Sequence, residues 1–243
     1  MNGARFGGTP PVVKNLIIIN VLMLFGTWAF SGGIDLTRIL GLFFFKSENF
    51  EPYQIITHMF MHGGIMHLFF NMFALWMFGR VLESVWGSKR FFIYYIITGL
   101  GAAIVHSFVN YLQYQSLLAE LTGQQFQTVM ENGYELWNNG QMYNHPAMQK
   151  MQLVLNIPTV GASGAVFGVL LAFGMLFPNT RLMLLFPPIP IKAKYFVIIY
   201  GVLELYLGIS QPGSTIAHFA HLGGMLFGFI LIKIWKTDRS NFY

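Results

Sequence analysis

Six apolar stretches alternate with polar or Gly/Pro-broken segments along the chain, at residues 16–30, 65–85, 91–110, 159–177, 195–209 and 215–235. Each is read as a membrane-crossing helix. The connecting segments differ in kind. Residues 1–13 are rich in Gly and Pro and form a tail. Residues 31–64 mix apolar patches with Gly32, Gly33, Asp35, Arg38, Lys46, Glu48, Glu51 and Pro52 and end at Gly63 and Gly64. That is too interrupted to span, so a membrane-associated outer loop is expected. Residues 111–158 are polar, with many Gln and Asn, and end at Pro158. Helical periodicity over 111–132 and 147–156 predicts interfacial helices in this outer insert. Pro178 to Arg181 and Pro187 to Pro190 break the chain after the fourth stretch, and Gln211 to Ser214 turn it after the fifth.

Composition sharpens this picture. Of 243 residues, 55% are hydrophobic and 9% charged, against roughly 25% charged in soluble domains. Such a chain cannot cover a water-facing surface, and it is read as an integral membrane protein embedded in a lipid bilayer. Its 25 Phe, 11 Tyr and 5 Trp suit lipid-facing and interfacial positions. The absence of cysteine excludes disulfides, thiolate metal sites and cysteine nucleophiles. The net charge of +5 is spread along the chain, so nucleic acid is not an expected partner. The basic residues do indicate orientation. With the N-terminus in the cytoplasm, Arg5, Lys14, Arg80, Lys89, Arg90, Arg181, Lys192, Lys194, Lys233, Lys236 and Arg239 all fall on the cytoplasmic side. That is 11 of 14, leaving Arg38, Lys46 and Lys150 outside. Six spans return the tail 237–243 to the cytoplasm. Residues 16–30 have a second reading as a cleaved signal peptide, with Ala29 and Ser31 at a small-residue site. The lack of a soluble mature domain favours a retained helix. No internal repeat is evident, which argues against a small transporter built from inverted halves.

Polar residues inside spans mark function by default. Ser163 lies near the start of the fourth stretch, His218 and His221 near the start of the sixth, and His67 and Asn71 near the start of the second. All three stretches begin on the outer side, so these residues share one layer, roughly 5–10 Å deep at 1.5 Å per residue. His67 and Asn71, four apart, share a helix face. Gly161, Gly164 and Gly168 on the fourth stretch and Gly224 and Gly228 on the sixth have the spacing of close-packing helices. If those faces meet, a histidine reaches the Ser163 hydroxyl, as a serine nucleophile requires. The first helical turn of the fourth stretch, with His67 and Asn71, offers donors for an oxyanion. Of the two aspartates, Asp35 falls in the outer loop and Asp238 in the C-terminal tail. Glu204 is read as the one buried carboxylate, neutral or paired, with the gate or water organisation as its other reading. A serine–histidine dyad is therefore expected. His58, His62 and His106 are expected to be local hydrogen bonders. The zinc-protease pattern HExxH is absent, and neither metal nor cofactor is expected. No strand precedes Ser163, so a soluble-hydrolase elbow is not expected either.

These residues resemble the rhomboid family of intramembrane serine proteases. Gly161-Ala162-Ser163-Gly164 is similar to the family's GxSG on the fourth helix. Ala220-His221-Leu222-Gly223-Gly224 followed by Gly228 is similar to AHxxGxxxG on the sixth, and His67 to Asn71 to HxxxN on the second. The resemblance covers roughly residues 14–236. It implies an all-α, polytopic membrane protein with a six-transmembrane-helix rhomboid-like bundle. It implies Ser163 as nucleophile and His221 as general base, with His218, three residues earlier, as the lesser candidate. It implies an oxyanion hole of His67, Asn71 and the Ser163 backbone N–H. The activity implied is serine endopeptidase cleavage of transmembrane protein substrates near the outer face, with lateral access past the fifth span or the outer loop. A bacterial cytoplasmic membrane is the expected location. The alternative is a rhomboid-like pseudoprotease that binds or chaperones membrane helices without cutting. The chain departs from the family in carrying Tyr53-Gln54 where Trp-Arg is frequent, and in the length of the 111–158 insert.

Overall fold

The computed structural model describes residues 8–183, 188–211 and 217–235. The expected start of the tail at 1–7, most of the turn at 212–214, the start of the sixth stretch at 215 and the tail 237–243 lie outside the described residues.

Helix α1 (Pro11–Phe30) opens the bundle. Proline in its first turn gives up an N–H that has no intrahelical partner anyway. The next two amides, Val12 and Val13, donate to the Glu83 carboxylate at 2.9 and 2.8 Å, and the Ser88 hydroxyl donates to it at 2.7 Å. Glu83 is thus a buried carboxylate in addition to Glu204. Its charge sits at a helix N-terminus, where backbone donors and the dipole favour it. A short α2 (Leu36–Leu40) and α3 (Gln54–Thr57) lie in the outer loop, with α3 continuing as a 3-10 turn through Phe60. The second span, Ile65–Trp86, is α4 (Ile65–Ala74), a π-helical turn (Leu75–Gly79) and α5 (Arg80–Trp86) in one continuous rod. Then come α6 (Ser88–Leu118), α7 (Gly123–Asn138), α8 (Pro146–Asn156) and α9 (Ser163–Leu176). Strands β1 (Arg181–Met183) and β2 (Pro190–Lys192) pair antiparallel in the segment expected only to break the chain, of which Pro187 lies outside the described residues. Helices α10 (Ala193–Ser210) and α11 (His218–Ile234) complete the described fold.

Four of these units, α1, Ile65–Trp86, α6 and α10, are long and apolar enough to cross a membrane, and α9 and α11 are shorter apolar helices. The result is an all-α membrane bundle. Helix α9 is its axis, with 10 of its 14 residues buried. A helix apolar all round belongs in the middle. Helices α6 and α11 flank it, and small residues set the spacing. A Cβ on Gly224 would collide with the Gly164 carbonyl, and one on Gly164 with Ala102. A Cβ on Gly168 would lie 2.7 Å from Thr98 Cβ, and one on Gly228 would strike the Tyr94 hydroxyl. That hydroxyl donates to the Gly168 carbonyl at 2.8 Å.

Three boundaries differ from expectation. The first helix begins at Pro11 rather than at 16, inside the expected tail 1–13, because the Glu83 carboxylate satisfies its first free amides. The fourth helix begins at Ser163 rather than at 159, because residues before it pair with the outer loop: Leu42 and Thr159 exchange backbone hydrogen bonds at 2.9 and 2.8 Å. The third helix runs on to Leu118, into the polar insert. There α7 and α8 build a second apolar cluster from Val129, Ala147, Met151, Val154 and Leu155, closed by Phe44 of the outer loop and Leu117 of α6. Tyr134 of α7 donates to Asp35 and lies under the Arg38 guanidinium. The insert therefore packs on the outer loop.

Gln54 holds that loop together. Fully buried, its Oε1 accepts from the Phe43 and Glu51 amides at 3.2 and 3.1 Å. Its Nε2 donates to the Asn49 and Ile39 carbonyls at 2.9 and 3.2 Å. His58 donates Nδ1–H to the Gln54 carbonyl at 2.8 Å. His62 differs from expectation: neither ring nitrogen has a hydrogen-bond partner among the described residues. Its ring instead meets that of His67 edge-on at 5.0 Å. Burial pushes both loop histidines down to about 4, with the neighbouring His67 a lesser cause for His62.

Two outcomes follow from this packing. Gly224→Val forces a side chain into the Gly164 carbonyl, so stability should fall by about 3 kcal/mol or more, seen as a lower thermal midpoint in detergent. The lipid-exposed Leu226→Val should change little. An unchanged midpoint for Gly224→Val would mean that α9 and α11 do not meet there. For His58, the unfolded chain takes up a proton below about 6.5 that the folded chain refuses until about 4. Stability is therefore constant above that window and falls on acidification through it, by on the order of 3 kcal/mol. His58→Gln should flatten the pH dependence of the midpoint between 6.5 and 4. An identical slope in the variant would remove His58 from the effect.

Candidate active site

The chain reaches α9 through Gly161, whose φ of +124° favours glycine and turns the backbone into the helix. The Gly161 amide donates to the His58 carbonyl at 2.9 Å, which ties this turn to the outer loop. Ser163 is then the first residue of α9, and its own N–H has no intrahelical partner.

The close approach of α9 and α11 brings His221 to the serine. His221 Nε2 lies 2.8 Å from Ser163 Oγ. The imidazole is buried and stacks flat on Phe167, with centroids 4.2 Å apart and planes 4° from parallel. Phe167 is four residues after Ser163, so serine and aromatic ring project from one face of α9. Sequence reasoning passed over Phe167, although this i, i+4 spacing was the available signal.

His67 approaches from α4. The Gly63 amide is 3.4 Å from its Nδ1. Where Nδ1 accepts, Nε2 carries the proton. A methyl built on Gly161 would lie 2.8 Å from His67 Nε2 and 3.8 Å from the Ser163 amide nitrogen. The missing side chain leaves a space bordered by two N–H donors, which is what an oxyanion requires. Asn71 is buried one turn further on and spends one of its N–H bonds on the His67 carbonyl at 2.9 Å. His106 stays apart from this group, with its Nε2 2.9 Å from the Thr159 hydroxyl. Gly164, Gly168, Gly224 and Gly228 lie in the helix contact beneath.

A carboxylate stands behind the histidine, the one that the sequence offers as neutral or paired without naming its partner. Glu204 of α10 places Oε2 2.9 Å from His221 Nδ1 and 2.7 Å from His218 Nδ1. His218 therefore faces Glu204 and makes no hydrogen bond to Ser163. Its Nε2 is buried without a hydrogen-bond partner among the described residues. By type, these three side chains are also a possible cation set, with donor atoms within 4.8 Å of one another. Ligands on a tetrahedral zinc with bonds near 2.0–2.1 Å stand about 3.3 Å apart. The carboxylate–imidazole distances are shorter and are those of hydrogen bonds.

Comparison with known proteins agrees with this architecture. Residues 49–236 match the Rhomboid domain. Rhomboid protein 1, mitochondrial, of Saccharomyces cerevisiae is 26% identical over 236 residues, covering 95% of this chain and 56% of its own length. Rhomboid protease GluP of Bacillus subtilis is 28% identical over 230 residues, covering 93% of this chain and 35% of its own length. Rhomboid protease AarA of Providencia stuartii is 25% identical over 243 residues, covering 94% of this chain and 74% of its own length. The chain thus spans about half or less of the first two relatives. The Rhomboid match runs from the outer loop past the end of α11 and takes in every helix of the site, so the chain is an integral, multi-pass membrane protein of the rhomboid family.

Proposed function

We propose that the chain is an intramembrane serine endopeptidase that cuts transmembrane segments of other membrane proteins near one face of the bilayer. One observation carries the reading: Ser163 Oγ and His221 Nε2 lie 2.8 Å apart, with the Gly161 space beside them. The names of two relatives, GluP and AarA, as proteases point the same way. In this reading Ser163 Oγ attacks the scissile carbonyl carbon while His221 Nε2 takes the hydroxyl proton. The carbonyl oxygen becomes an oxyanion in the space over Gly161, held by His67 Nε2–H and the Ser163 N–H, with Asn71 close behind. His221 then gives its proton to the leaving amine. Water, deprotonated by His221, hydrolyses the acyl-enzyme and restores Ser163. The charge bias of the loops favours cytoplasmic termini and a site opening outward, in a bacterial cytoplasmic membrane. Substrate helices enter laterally, past α10 or the 31–64 loop.

Turnover of a reconstituted transmembrane substrate tests this. Ser163→Ala and His221→Ala should each lose cleavage by about 10³-fold or more, and a fluorophosphonate should label Ser163 only in chains that keep both side chains. Equal cleavage by wild type and Ser163→Ala would sink the proposal. Binding of the substrate helix without cleavage by wild type would favour the pseudoprotease reading. The oxyanion space has its own test. Gly161→Ala and His67→Ala should each reduce kcat by about 10²-fold while substrate capture persists. Full activity in both would place the oxyanion elsewhere.

A further inference from the structure

Glu204 is the feature that a two-residue catalytic pair leaves unused. It is a buried carboxylate on α10, a helix whose other side chains are largely exposed around it, among them Ile198, Ile199, Val202, Leu203, Leu205 and Tyr206. Its Oε2 meets two imidazoles of α11 at once. We propose that Glu204 is a positioning residue for the Ser163–His221 pair, completing a Glu204–His221–Ser163 chain across α10, α11 and α9. The inference rests on the proteolytic reading above.

A neutral imidazole has one N–H and one lone pair. An ionised carboxylate only accepts. With Glu204 ionised, His221 must present its proton at Nδ1, since the other tautomer would set a lone pair against the carboxylate at 2.9 Å. Nε2 is then left with its lone pair facing Ser163 Oγ at 2.8 Å, the arrangement a general base needs. After proton transfer, the imidazolium keeps the carboxylate beside it. His218 supports the same assignment. Its buried Nε2 has no partner among the described residues, and a proton there would find no acceptor among them. Its single proton therefore belongs on Nδ1, donated to Glu204 at 2.7 Å. Two N–H donors on one oxygen favour the ionised carboxyl. A protonated Glu204 would instead donate to one Nδ1 and could leave His221 in the unproductive tautomer.

The role differs from simple helix tethering in what it controls. Flat stacking on Phe167 already restrains the ring plane. Glu204 adds the rotation within that plane and the location of the proton. Neither would respond to a side chain that only fills space.

The experiment compares wild type, Glu204→Gln and Glu204→Asp. It reads kcat and KM on a reconstituted transmembrane substrate, thermal midpoint, and the ¹⁵N imidazole shifts of His221, assigned with His221→Ala. Gln keeps the shape but can offer His221 either an oxygen or an N–H. The expected result is a fall in kcat of about 10²–10⁴-fold for Gln, with KM and midpoint near wild type. Partial recovery with Asp is also expected. His221 should be the Nδ1-protonated tautomer in wild type and a mixture in Gln. Wild-type kcat in Glu204→Gln, or a His221 tautomer unchanged by it, overturns the inference. The nitrogen shifts do not depend on turnover. A wild type that neither cleaves nor labels at Ser163 removes the proteolytic reading, while the tautomer comparison still decides the role of Glu204.

Discussion

The structure depends on the contact between the backbones of α9 and α11. There is no room for a side chain where Gly224 meets the Gly164 carbonyl. Without a hydrophobic drive inside lipid, helices associate through packing and hydrogen bonds, and small residues permit both. The Tyr94 hydroxyl on the Gly168 carbonyl adds a bond at the same seam. The approach has a direct chemical result. It fixes how far α11 stands from Ser163, and so places an imidazole nitrogen at hydrogen-bond distance from a hydroxyl on another helix.

The site is assembled from helix beginnings. Ser163 and His218 each open their helices, and His67 and His221 follow within the first turn or so. These are the turns whose backbone N–H groups lack partners. Helix α9 has 14 residues, about 21 Å, against a hydrocarbon core of about 30 Å. A helix that short cannot reach both faces, so at least one of its ends lies within the slab. The extended residues before it are paired to the outer loop through Leu42 and Thr159, and the loop is in turn held by Gln54 and the α7–α8 insert. Backbone that would be costly bare in lipid is thus covered by protein.

Much of this was legible in the sequence because bilayer solvation imposes coarse rules. Apolar runs, the helical periodicity of the insert and the placing of Ser163, His67 and His221 near the starts of their helices are all local or nearly so. What was hidden depends on partners distant in the chain. The start of α9 at Ser163 is set by a bridge to Leu42, more than a hundred residues earlier. Glu83 falls near the end of the second stretch, and only the fold shows it under the first amides of α1. His62 looked like its hydrogen-bonding neighbour His58, yet its ring faces His67 and finds no hydrogen-bond partner among the described residues. Glu204 was visible as a costly residue in a span, but its registration against α11 was not. A lone acid in an apolar helix says that a partner exists without saying which one.

That registration gives α10 a thermodynamic home position. Most of the helix presents apolar side chains that are equally content against lipid wherever it sits. Glu204 alone is not indifferent, since its carboxylate is satisfied only beside His218 and His221. Swinging it into hydrocarbon costs about 2.5–3.5 kcal/mol on insertion scales, before the loss of two hydrogen bonds. A single acidic side chain therefore acts as a spring-loaded latch on an otherwise slippery wall of the bundle.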